Sequence, residues 1–141
     1  MRASGPAVAA AIVLAAEGIA LAVVCLLELF ALGAGEASST VGGIAMIVLT
    51  LLAAGALIAF AYGTLRRASW ARSGAIVFQV LGIALGLASL SIDPVPWLFT
   101  LAVGGTGVVG LVLLIAAVRR DGGSDPRLQS RGYDGHDDLD D

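Results

Sequence analysis

The chain contains no lysine, and only 13% of its 141 residues are charged. Soluble domains carry about a quarter charged residues, so an ordinary water-facing surface is excluded. The single cysteine, Cys25, excludes an intrachain disulfide, and one cysteine with one histidine cannot build a zinc site. That histidine, His136, sits in a polar tail, where a lone imidazole is solvated. No nucleotide-binding loop, nucleophile triad or metal cluster occurs anywhere in the sequence. No enzyme activity, no cofactor and no bound metal is therefore expected.

What is present is apolar length. Hydrophobic residues make up 58% of the chain and fall into four runs, 6–33, 41–63, 74–91 and 95–118. Each is long enough to cross about 30 Å of hydrocarbon at 1.5 Å per residue. Inside lipid every backbone amide must be bonded within its own segment or within a closed barrel. The runs are continuous and rich in Ala and Leu, so helix is the expected state and an alternating barrel pattern is not. The first run is too long for a signal-peptide core and contains Glu17 and Glu28, so it reads as a retained helix. The fold expected is all-α, a four-helix transmembrane bundle.

All eight basic residues are arginine. Arg2 precedes the first run, Arg66, Arg67 and Arg72 lie between the second and third, and Arg119, Arg120, Arg127 and Arg131 follow the fourth. The connections 34–40 and 92–94 carry no basic residue, only Glu36 and Asp93. With four crossings every Arg lies on one side, which the positive-inside rule makes cytoplasmic. The expected location is the plasma membrane, with both termini in the cytoplasm. Tyr62 and Trp70 then fall at the inner boundary and Phe30, Trp97 and Phe99 at the outer one, as amphipathic rings prefer.

Residues 119–141 are poor in apolar side chains and carry Asp at 121, 125, 134, 137, 138, 140 and 141. Such a segment cannot bury enough surface to offset its chain entropy, so a disordered acidic cytoplasmic tail is expected. Its acidity produces the net charge of −3, and no nucleic-acid partner is implied. The connection 34–40 is a Gly/Ser/Thr turn, and Asp93-Pro94-Val95-Pro96 is a tight link. Short links make consecutive helices antiparallel neighbours.

Glu17 is the most informative residue. A carboxyl inside a membrane helix costs about 3 kcal/mol on insertion scales and normally faces protein or water. Glu28 follows about three turns later on the same face, with Leu21 and Cys25 between, and is close enough to the helix end to reach the headgroups. Glu17 is not. Gln79, the only amide side chain in any span, lies at a similar depth and on one stripe with Gly82 and Gly86. Gly82-Ile-Ala-Leu-Gly86 is a GxxxG pattern that admits close helix approach. The expectation is that helix 1 packs its Glu17 face on this face of helix 3. The pair is then either an interhelical hydrogen bond that sets packing or a proton-coupled site. Gly55, Ala59 and Gly63 in the second span, and Ala102, Thr106 and Gly110 in the fourth, show similar small-residue spacing.

The connection 64–73 contains Arg66-Arg67-Ala-Ser69-Trp70-Ala-Arg72-Ser73. Arg66, Arg67, Trp70 and Arg72 are read as topology determinant and interfacial anchor. They are also candidates for binding anionic lipid headgroups, since each basic residue near the surface adds about 1 kcal/mol and Arg bonds phosphate with two parallel donors.

From Gly63-Thr64-Leu65-Arg66-Arg67 through Trp70-Ala71-Arg72-Ser73, with Gln79 beyond and Glu17 in the first span, the chain resembles small four-helix membrane proteins of high-GC actinobacteria. The resemblance covers roughly residues 8–118. It departs at Gly74, where the group has Pro, and at Ser69, which interrupts the Arg-to-Trp spacing. It implies topology and host type, not a reaction. Four helices with a Glu in the first are also similar to small multidrug-resistance transporters, which use that Glu to exchange protons for cations. Their dual-topology members show weak basic bias, and this chain lacks the site aromatics those proteins bring from helices 2 and 3. The leading expectation is a non-enzymatic accessory or lipid-interacting membrane component, in contact with the bilayer and with a membrane-protein partner or a second copy of itself. The alternative is a small proton-coupled transporter using Glu17.

Overall fold

A computed structural model describes residues 4–35 and 39–122. Three uninterrupted helices, α1 (Gly5–Gly33), α2 (Thr40–Leu65) and α3 (Ser69–Ser89), precede a fourth, α4, whose apolar span is Trp97–Arg120. All four are long and apolar enough to cross a membrane, and no strand occurs among the described residues. The chain is an all-α, multi-pass membrane protein.

The helices stand in a ring. α1 packs on α2 and α4, and α3 packs on α2 and α4. α1 and α3 face each other across the diagonal, where their backbones hardly meet. This corrects the expected pairing of helix 1 with the GxxxG face of helix 3. Gly82 and Gly86 turn instead to α4. A Cβ at Gly86 would lie 2.6 Å from the Cα of Gly104, and the nearest atom to one at Gly82 would be the Val103 carbonyl oxygen at 3.5 Å.

The interior is built from small residues and the exterior from large ones. Ala7, Ala10, Ala71, Ala75 and Ala117 are fully buried, with Leu14 and Leu114 the bulky members of the core. Val41, Leu52, Leu98 and Leu101 point outward. Lipid tails are as apolar as Leu, so burying Leu gains little there, whereas small side chains let backbones approach and gain dispersion contact.

The ends of the helices differ from hydropathy-based expectation in ways with local causes. α2 closes in a Schellman motif: Ala68 N donates to Gly63 O over 2.9 Å and Arg67 N to Thr64 O over 3.1 Å. Arg67 takes the left-handed position with φ of 58°. α3 restarts at Ser69, so the connection is much shorter than the expected 64–73, and Trp70 and Arg72 lie on helix. Hydropathy marks where a helix enters hydrocarbon, not where its hydrogen bonds begin.

α4 begins as α-helix at Trp97–Phe99, widens to π-helix over Thr100–Gly105, and returns to α-helix over Thr106–Gly122. The hydroxyls of Thr100 and Thr106 donate back to the Pro96 and Ala102 carbonyls, and Gly104-Gly105 restrains the backbone least. At its other end α4 continues through Arg119 and Arg120 to Gly122, past the expected boundary at 118. Arg is a good helix former and favourable at a helix C-terminus. The rest of the expected acidic tail, 123–141, lies outside the described residues.

Candidate functional site

The chain brings the side chains of Glu17 and Gln79 together. Gln79, on α3, is 2% exposed, and its Nε2 donates to Oε2 of Glu17 on α1 over 2.8 Å. The bond runs across the bundle diagonal, so it is made by side-chain reach and not by backbone proximity. Room for it comes from α4. A Cβ at Gly110 would lie 2.6 Å from Gln79 Nε2 and 2.7 Å from its Cδ. One turn along, a Cβ at Gly107 would lie 3.0 Å from the Gln79 carbonyl oxygen. Gly18, next to Glu17, brings α1 close to α2, since a Cβ there would meet Ile58 at 2.9 Å and the Ala54 carbonyl oxygen at 3.1 Å.

A carboxyl oxygen accepts from an amide whether or not the carboxyl carries a proton. The contact therefore satisfies a buried donor in either state of Glu17, and an unpaired buried amide would otherwise be costly. Gly104, Gly107 and Gly110 recur every third residue on α4, and of these Gly104 and Gly107 were not singled out from the sequence. Their spacing was the available signal. Of the stripe that was, Gly110 is buried, while Ala102 and Thr106 face outward, as do Gly55 and Ala59 on α2.

Glu28, expected near the headgroups, accepts at its Oε1 from Thr50 Oγ1 on α2 over 3.3 Å, and its Oε2 is buried without a hydrogen-bond partner. On the same interface Cys25 Sγ donates to the Ile47 carbonyl at 3.7 Å. No group of three or more metal-ligating side chains gathers among the described residues.

The basic candidates share one end of the bundle but do not form one cluster. Arg66 caps α2, and its guanidinium carbon lies 4.9 Å from the centroid of the Tyr62 ring. Tyr62 faces α1, in a groove that includes Val8 and Ile12. Trp70 belongs to the α2–α3 side. Its ring tilts against Phe60 at 6.1 Å, and Phe60 in turn meets Phe78 edge-on at 5.7 Å. Close approach on this side depends on Gly63, where a Cβ would collide with Ala71, and on Gly74, where one would enter the Phe60 ring. Arg72 is half-buried at the start of α3, and Arg119 and Arg120 end α4 at the same end.

Comparison with known protein families, with curated proteins and with solved structures finds no match.

Proposed function

We propose that the chain is a non-enzymatic integral component of the plasma membrane, with both termini cytoplasmic and a basic inner end that contacts anionic lipid headgroups. The observation that carries this reading is the gathering of Arg66, Arg67, Arg72, Arg119 and Arg120 at one end of the bundle. The described residues at the opposite end include no basic side chain. Basic residues are retained on the cytoplasmic side and attracted to its anionic leaflet. Glu17 serves packing in this reading, through its bond to Gln79.

Topology is tested by cysteine labelling in a Cys25→Ala background, using Ser69→Cys and Ser91→Cys. An impermeant maleimide applied to intact cells should label position 91 and reach position 69 only after permeabilisation. The reverse pattern overturns the orientation. Lipid preference is tested by the phospholipids that co-purify with the protein, which should be enriched in anionic classes over the host membrane. The transporter reading is tested separately. Loss of pH-gradient-driven cation uptake in Glu17→Gln vesicles, from a wild type that shows it, would replace the packing role with proton coupling.

A further inference from the structure

A groove of about 320 Å³ lies between α1 and α2 in the half of the bundle nearest the basic end. Val8, Ala11 and Ala15 form one wall, and Ile58, Tyr62 and Leu65 the other. Ala11 and Ala15 open the furrow because they leave space that larger side chains would fill. Val8 to Ala15 is about 10 Å of helix, within the roughly 15 Å of hydrocarbon in one leaflet. The furrow reaches its charged end at Leu65, and the next residue is Arg66. The Arg66 guanidinium stacks on Tyr62, itself a groove wall, so the cation is held at the mouth. Stacking occupies the guanidinium face and leaves its N–H edges for phosphate oxygens. No acidic side chain lies in the first turn of α1 to neutralise it.

An apolar furrow about two-thirds of a leaflet deep, with a guanidinium stacked at its mouth, complements the shape and charge of an anionic lipid. We propose that this groove is a binding site for an anionic phospholipid, with an acyl chain along Ala11 and Ala15 and the headgroup phosphate on Arg66. The proposal rests on the anionic-lipid reading of the basic end and assigns it a place. It separates Arg66 from Trp70 and from the other arginines, which contribute only to the general surface field.

The test uses the full chain, purified in mild detergent and supplied with equal amounts of dioleoylphosphatidylglycerol and dioleoylphosphatidylcholine. Retained lipid is counted by native mass spectrometry. The wild type should keep one phosphatidylglycerol per chain in preference to phosphatidylcholine. Arg66→Gln should lower that retention about tenfold, the worth of a charge-assisted hydrogen bond. Ala15→Phe, which fills the furrow without touching the charge, should lower it as well. Arg119→Gln, which removes the same charge from the same end but from α4, should change it less than twofold. Equal losses from Arg66→Gln and Arg119→Gln would overturn the site while leaving a diffuse anionic preference standing. Equal retention of both lipids by the wild type would instead overturn the preference itself. A protein dimer with no retained lipid, dissociated by Ala15→Phe, would assign the groove to a second copy of the chain. Arg66 is exposed on a helix cap, so its variant remains informative if Ala15→Phe fails to give monodisperse protein.

Discussion

Gln79 and Glu17 sit on helices that hardly touch, yet their side chains meet at 2.8 Å through the middle of the bundle. α1 and α3 are therefore tied by a side-chain contact, while most backbone contacts of each are with α2 and α4. Such a bond acts across the whole ring. It can form only if α4 leaves space at Gly110 and α2 lets α1 approach at Gly18.

If the pair sets packing, its members are energetically coupled. Membrane double-mutant cycles average about 0.6 kcal/mol for comparable bonds, with a maximum of about 1.7. Glu17→Leu and Gln79→Leu together should destabilise by less than the two changes summed, measured by unfolding in mixed micelles. Glu17→Gln keeps an acceptor oxygen and should be nearly silent. Additive losses from the two Leu variants would show that the contact carries no coupling.

The two glycines of the GxxxG pattern should behave differently. At Gly86 an added Cβ meets backbone, the Cα of Gly104 at 2.6 Å and its N at 3.0 Å, and neither can move without separating α3 from α4. At Gly82 the nearest atom is at 3.5 Å, an ordinary contact. Gly86→Ala should cost about 2 kcal/mol as an overpacked contact. Gly82→Ala should be neutral, or stabilising by up to about 1 kcal/mol from helix propensity. Comparable losses from both would contradict the packing described.

The four crossings are legible because lipid imposes length and apolarity on every spanning helix, and each of the four runs shows both. The meeting of Glu17 with Gln79 follows from the depth of two costly groups. Which helices carry the contact does not follow. Face arithmetic shows that Gln79, Gly82 and Gly86 share a stripe, but it names no neighbour, and the stripe lies on α4. The start of α3 is hidden for another reason. A Schellman turn is normally marked by Gly or Asn in the left-handed position, and here that position is Arg67. Ser69-Trp70-Ala71-Arg72, with an interfacial Trp and a charged Arg, then reads as loop although its backbone is helical.

That left-handed residue offers its own test. Non-glycine residues in the left-handed region bear about 1–2 kcal/mol of steric cost. Arg67→Gly relieves it but also removes the interactions of the Arg67 side chain, so its stability is compared with that of a second truncation. A control, Arg67→Ala, removes the same side chain and keeps the strain. The glycine variant should unfold at a higher temperature than the alanine variant. Equal midpoints for the two variants would show that the left-handed position carries no steric cost.

Gly110→Ala distinguishes a polar tie from generic close packing. The atoms an added methyl would meet are Gln79 Nε2 at 2.6 Å, Cδ at 2.7 Å and Cγ at 3.2 Å, all on one flexible side chain. The methyl can therefore be accommodated by swinging the amide aside, which takes it off Glu17 and leaves a buried donor unpaired. Helix propensity alone would favour alanine by about 1 kcal/mol, while an unsatisfied buried amide costs about 1–3 kcal/mol. The net effect should be a modest loss. It should disappear, or reverse to the propensity gain, in a Gln79→Ala background, where no amide stands in the way. If α4 were simply pressed against α3 at this point, Gly110→Ala would cost the same in both backgrounds. The four-variant comparison by unfolding in mixed micelles decides between them, and a background-independent loss would remove Gly110 from the Glu17–Gln79 site.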